Sequence, residues 1–218
     1  MNCFVRAVTF LIMFLPIVLI AQDKSKLRTE WRMIWHDEFD DDLLDTTKWN
    51  ILLREQSKHG ELQYYVPDEV FVENNLLRIR SRMRSYGSMK YTSGRLDTKG
   101  KLAPIYGRFE ICAKLPTGKG LWPAHWLYPQ NRNWAMEYLM AEAVAAGKER
   151  LIPEERPWYS EIDIMEFLGH EPNVVYGTLH YYSFDGQKKS NSGKITGQID
   201  LSKDFHVYAL EWEPDSLR

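Results

Sequence analysis

The chain has 218 residues, enough for one domain with appendages. Its formal net charge of -2 carries no basic excess, which argues against a nucleic-acid partner. The 8 Trp and 12 Tyr are a heavy aromatic load for this length, and such rings serve a packed core and a sugar-stacking surface equally well.

The chain opens on a targeting pattern. Arg6 precedes an apolar run from Ala7 to Ile20, and Ala21 stands before the polar stretch Gln22-Asp23-Lys24-Ser25-Lys26. A charged start, a short apolar middle and a small residue at the cleavage point predict a signal peptide over 1–21, followed by a short leader over 22–30. The run falls short of the roughly 20 residues of a comfortable membrane span. The expected destination is therefore secreted, periplasmic or cell-surface, with no stable span after processing; a retained anchor is the alternative. Cys3 would leave with that segment. Cys112, in the alternating stretch Arg108 to Lys114, is then expected as an unpaired, buried structural thiol.

From Trp31 onward, short alternating or apolar runs are punctuated by turn residues. The runs are Glu61 to Val66, Val70 to Val72, Leu76 to Ser81, Gly107 to Ala113, Ile162 to Phe167, Val174 to Tyr181 and His206 to Trp212. Pro67-Asp68, Asn74-Asn75, Thr117-Gly118-Lys119-Gly120 and Glu171-Pro172-Asn173 lie between them. This rhythm predicts an all-β sandwich or barrel. Asn74-Asn75 predicts a tight hairpin, because Asn tolerates positive φ. One segment departs from the pattern: 134–150 is rich in Ala, Met, Leu and Glu, follows a capping Asn133, and predicts a helix. Such a helix either packs outside the sandwich or walls one end of a cleft. After the last run the sequence stops within 6 residues, which would leave a core strand at an open edge. The expectation is a sandwich whose C-terminal strands are missing.

Chemistry concentrates in Glu161-Ile162-Asp163-Ile164-Met165-Glu166. Alternation puts Glu161 and Asp163 on one strand face and Ile162 and Ile164 on the other. Strict alternation would turn Glu166 to the apolar side; one extra residue, a β-bulge, would return it to the acidic face. Three carboxyl groups in one row fit retaining glycoside hydrolysis, in which two carboxyls about 5–5.5 Å apart act as nucleophile and acid/base. A third between them can polarise the pair. The competing reading is a solvated acidic face.

The same stretch resembles the active-site signature of glycoside hydrolase family 16, in its form with one bulge residue. The resemblance extends along the chain in the family's order. It runs through Trp35-His36-Asp37-Glu38-Phe39, Lys48-Trp49-Asn50, Glu61-Leu62-Gln63-Tyr64-Tyr65 and Tyr91-Thr92-Ser93-Gly94-Arg95. It continues through Tyr106 to Glu110, Gly120 to Trp126, Gly177 to Tyr181 and Phe205 to Tyr208. It implies a concanavalin-A-like jelly roll of two antiparallel sheets over 31–218. Within it Glu161 would be the nucleophile, Glu166 the general acid/base and Asp163 the assisting carboxyl. Trp122 and Trp126 would line the sugar cleft, Arg95 would bond a sugar hydroxyl or a cleft carboxylate, and His180 would lie near the acid/base. Glu38 matches a position near a calcium site, leaving a structural calcium open; no other cofactor is required.

The motifs are most similar to those of laminarinases. They imply a monomer that cuts β-1,3-glucosidic bonds inside laminarin-like or mixed-linkage β-glucans. Relatives acting on agar, porphyran or carrageenan, and a non-catalytic β-glucan-binding protein, are the alternatives. Two departures from the family's pattern stand out. The span from Trp126 to Glu161 is long, and the family continues past Glu211-Trp212-Glu213-Pro214 into further strands.

Overall fold

The computed structural model describes residues 5–9, 31–55, 60–130, 160–183 and 187–218. The expected helix at 134–150, the leader at 22–30 and most of the expected signal peptide lie outside them. Among the described residues, regular structure consists of strands and one 3₁₀ turn, Pro67–Glu69. None of their helices is long and apolar enough to cross a membrane.

In chain order the strands are β1 (Val5–Thr9), β2 (Arg32–Asp37), β3 (Asn50–Ile51), β4 (Arg54–Glu55), β5 (Gln63–Tyr65) and β6 (Val70–Val72). Next come β7 (Leu77–Ile79), β8 (Arg82–Tyr86), β9 (Met89–Ser93), β10 (Leu96–Asp97) and β11 (Gly107–Ala113). The series ends with β12 (Ala124–Leu127), β13 (Glu161–Glu166), β14 (Val174–Tyr182), β15 (Lys188–Thr196), β16 (His206–Glu213) and β17 (Ser216–Leu217). One large sheet has the order β17-β16-β11-β1-β2, and the sheet facing it has the order β12-β13-β14-β15. A further sheet, β4-β5-β9-β8, and the pairs β3/β10 and β6/β7 flank them. All pairings are antiparallel except β5 with β9, which run parallel, Tyr64 opposite Thr92.

The two large sheets meet over two apolar clusters. Phe109 of β11 and Leu210 of β16 pack against Ile162 of β13, with Trp35, Leu127, Ile164 and Leu179 around them. Beyond, Met165 and Phe167 pack with Leu115 and Tyr208. Burying side chains of this size contributes about 1.5–3 kcal/mol each. Strand β13 is therefore anchored on its inner face by Ile162, Ile164 and Met165, which leaves its other face free for chemistry. The fold is the expected all-β sandwich.

Two local details carry the flanks. Asn74 and Asn75 have φ of 54° and 57° and link β6 to β7, while Glu73 and Leu76 exchange both backbone hydrogen bonds. That is the expected two-residue turn. In the opening motif, Trp49 donates from Nε1 to Asp37 Oδ2 at 2.8 Å and meets Trp35 edge-on at 5.2 Å between ring centroids. Much of the Trp-His-Asp-Glu-Phe signature is thus a structural clamp.

Two features differ from a plain reading of the sequence. Strand β1 falls inside the stretch read as a signal peptide, yet it lies between β11 and β2, with Arg6 opposite both Glu110 and His36. Cys112 on β11 is disulfide-bonded rather than an unpaired thiol. The expectation of a free thiol assumed removal of the N-terminal segment, which here still lies against β11; the chain's other cysteine, Cys3, is outside the described residues.

Candidate active site

On β13 the pairing with β14 sets Glu161 opposite His180, Asp163 opposite Thr178 and Glu166 opposite Tyr176. The step from Asp163 to Glu166 is one residue longer than the facing step from Thr178 to Tyr176, so a bulge lies between the two acids. The pairing with β12 shifts at the same level, between His125 and Trp126. Met165 takes the core side of the bulge at 3% exposure. Glu166 is thereby turned into the row begun by Glu161 and Asp163, as the sequence predicts.

Asp163 is 6% exposed. Burial pushes its carboxyl up to about 8, helped by the charges of Glu161 and Glu166 and by its hydrogen bond to Glu161. It therefore holds a proton at neutral pH and can donate it to Glu161. His180 Nε2 lies 3.2 Å from Asp163 Oδ2, so the histidine closes the row from β14. Glu166 is held at both oxygens. Trp122 donates from Nε1 to Oε1 at 3.0 Å, and Thr178 Oγ1 lies 3.4 Å from Oε2, itself accepting from Ser192 Oγ at 3.2 Å.

The walls are aromatic. Trp122 is 51% exposed, beside Glu166. Trp126, opposite Asp163 on β12, meets Tyr128 edge-on at 5.5 Å. The Arg95 guanidinium sits 4.6 Å from the Trp126 ring centroid and 5.9 Å from that of Tyr65. Gln63 donates to both Glu61 Oε2, at 2.6 Å, and the Tyr65 hydroxyl, at 3.1 Å, extending a polar line from Arg95. Of the alternatives left open for Arg95, ring stacking is the contact made. His125 lies in the same Trp-Pro-Ala-His-Trp run but opposite Met165, and burial pushes it down to about 4, so it stays neutral.

The three carboxyls, Trp122, Trp126, Arg95 and His180 all line one cleft of about 2380 Å³. That exceeds the roughly 300–1,000 Å³ of a small-molecule pocket, as a site for part of a polymer must. A donating carboxyl among two others, facing exposed aromatic rings, can orient one carboxylate for attack while another handles a proton.

Glu38 stands apart in kind. Its carboxylate lies 3.3 Å from His36 Nδ1. Among the described residues no group of three or more His, Cys, Asp or Glu converges to hold a metal. Calcium takes 6–8 oxygen ligands, so the side chains present do not by themselves fit the expected calcium site.

Sequence reasoning passed over Thr178, Ser192 and Gln63. Thr178 was findable: alternation from His180 puts it on the same face, level with Asp163. Ser192 depends on the register of β15, whose nine positions are all exposed and carry no apolar alternation to reveal it.

Comparison with known proteins gives a consistent answer. Residues 148–218 match the model of glycosyl hydrolases family 16. The chain is 36% identical over 208 residues to a beta-glucanase of Rhodothermus marinus, covering 92% of this chain and 66% of that protein. It is 33% identical over 202 residues to a glucan endo-1,3-beta-glucosidase of Cryptopygus antarcticus, covering 86% and 65%. It thus spans just under two thirds of the length of these curated relatives. The crystal structure of the laminarinase catalytic domain from Thermotoga maritima superposes with a TM-score of 0.67 at 35% identity, covering 86% of this chain and 72% of that one. With the sandwich, the bulged acidic strand and these relatives in agreement, the chain belongs to glycosyl hydrolase family 16.

Proposed function

We propose that this chain hydrolyses internal β-1,3-glucosidic bonds of laminarin-like or mixed-linkage β-glucans, with retention, by double displacement. The observation that carries the reading is the bulge between Asp163 and Glu166, which puts three carboxyls in one row facing an aromatic cleft. The glucan-acting names of the two relatives favour a glucan over a galactan.

In the first displacement a carboxylate oxygen of Glu161 attacks the anomeric carbon. The bond to the leaving glucan oxygen breaks as Glu166 gives that oxygen its proton. In the second, Glu166, now a carboxylate, takes a proton from a water molecule whose oxygen attacks the same carbon. The bond to Glu161 breaks with its electron pair returning to the carboxylate, and the product keeps the β configuration. Both steps balance with two glutamates and water. Asp163, carrying a proton, donates to Glu161 and fixes its orientation; such a donor lowers the cost of charge on the departing carboxylate in the second step. The faces of Trp122 and Trp126 suit the C–H faces of sugar rings. The N-terminal pattern supports action outside the cytoplasm, where such polymers are met.

The test is Glu161→Gln, assayed by release of reducing ends from laminarin. Loss of the nucleophile should lower turnover by roughly 10³-fold or more, about 4 kcal/mol of barrier. Near-wild-type turnover, or an α-configured first product by NMR, overturns the reading.

A further inference from the structure

The bond between Trp122 and Glu166 joins a group that touches sugar to a group that moves a proton. An indole N–H can only donate. At 3.0 Å from Glu166 Oε1 it stabilises the carboxylate more than the carboxylic acid, because a bond to an ionised acceptor is the stronger one. Yet the first displacement needs Glu166 to arrive with a proton. The empty cleft therefore holds this side chain in the form opposite to the one the first step uses.

We infer that Trp122 is a substrate-displaced switch: its Nε1–H holds Glu166 ionised in the empty cleft, and a glucan ring seated against the indole releases Glu166 to take up a proton. The inference rests on the function proposed above. Trp122 is half exposed, in the loop ahead of β12 and clear of the buried clusters, so the ring is free to meet a ligand. The second oxygen keeps its partner throughout, since Thr178 is 9% exposed and is tied to Ser192 across β15. Displacement thus removes one of two donors and leaves the carboxyl positioned.

Other charges face Glu166 as well. Glu161 and Asp163 lie on its own strand. His180 and Tyr176 lie on β14, the Tyr176 hydroxyl being engaged with Glu171, and Lys194 follows Tyr176 in register on β15. Lys114, Lys119, Lys188 and Lys203 line the same cleft. None of them changes between wild type and Trp122→Phe, so their fields cancel in that comparison. By linkage, a ligand that favours the protonated carboxyl is itself bound more tightly as pH falls.

Two arms test this. In the first, the Glu166 carboxyl is followed by NMR of the chain carrying ¹³C-labelled glutamate, its signal identified by its loss in Glu166→Gln. Its titration midpoint should move upward by about 0.5–1 pH unit in Trp122→Phe, which keeps the ring but not the N–H. An unmoved midpoint overturns the inference. In the second, calorimetry measures binding of laminaritetraose to Glu161→Gln in buffers of different ionisation heat. Proton uptake on binding is expected, and it should disappear when Trp122→Phe is added. Uptake that survives the change overturns the switch, and so does binding with no uptake. The failures are distinguishable: a chain that leaves laminarin intact yet shows the NMR shift refutes the glucanase reading alone. A chain that hydrolyses laminarin with no shift refutes the switch alone. A merely structural role for Trp122 would weaken binding equally at every pH.

Discussion

Two buried carboxyls in this molecule have opposite fates. Asp163, at the centre of β13, is pushed up to about 8 by burial, by Glu161 and Glu166 and by its hydrogen bond to Glu161. Glu69, at the end of the 3₁₀ turn before β6, is wholly buried. Burial alone would raise it too, but Thr92 at 2.6 Å, Arg80 at 2.6 Å and Arg82 at 2.7 Å hold it below its ordinary 4.5. Arg84 adds a third guanidinium at 3.1 Å. Burial is shared; the neighbours decide. Like charges leave a proton stored beside a cleft, whereas three cations and a hydroxyl turn a carboxylate into a structural peg.

The largest effect should come from pulling the peg. Glu69→Gln would leave three guanidiniums around a neutral amide and lower stability by about 2–4 kcal/mol, less than for a fully dry pair because the arginines are partly solvated. Urea denaturation should show it. The lowered carboxyl contributes stability that is present above 4.5 and is lost as pH falls through its folded value. The gap between variant and wild type should therefore close in acid; a gap that widens would mean the arginines are not its cause.

Asp163 has the reverse sign. Its raised folded value means the native chain holds a proton that the unfolded chain releases above 3.8. The associated stability is full below 3.8 and is lost as pH rises through about 8. Asp163→Asn cannot titrate and should gain on wild type as pH rises between these limits, by on the order of 1–2 kcal/mol at the alkaline end. Melting curves across that range measure it. A difference flat with pH would place the stored proton elsewhere.

The acidic row was legible because two signals agreed. The alternation of Glu161 and Asp163 over Ile162 and Ile164 gave the face, and the misplaced Glu166 demanded a bulge, which the structure contains. Asn74-Asn75 was legible for the same kind of reason, since its turn chemistry is local. The peg was not. Glu69 follows Pro67-Asp68 in a stretch that reads as a turn, and Arg80, Arg82 and Arg84 read as the polar face of an exposed strand. Only tertiary pairing, eleven and more residues away, brings them together. Gly94 shows a similar limit: a Cβ there would fall 2.5 Å from Val70 Cγ2 and 2.8 Å from the Glu69 carbonyl oxygen. Nothing in the sequence discloses that contact. The disulfide at Cys112 escaped because it depends on which segment lies beside β11.

Arg95 sharpens the comparison from a third side. It is a guanidinium like those around Glu69, but what it meets are rings, with Trp126 at 4.6 Å and Tyr65 at 5.9 Å. A flat cation on an indole face contributes about 0.5–1 kcal/mol where solvent reaches it. A lysine ammonium keeps the charge but not the plane. Arg95→Lys should therefore loosen Trp126 without touching the acidic row. If Trp126 carries a sugar ring, the loss falls on ground-state and transition-state binding alike, raising KM about two- to fivefold while kcat stays near its wild-type value. A fall in kcat at unchanged KM would mean that Arg95 acts on Glu161 or Asp163 rather than on the ring. That outcome would make it a partner of the acids, as the arginines are of Glu69, and would remove the distinction between a cation set against carboxylates and one set against aromatic faces.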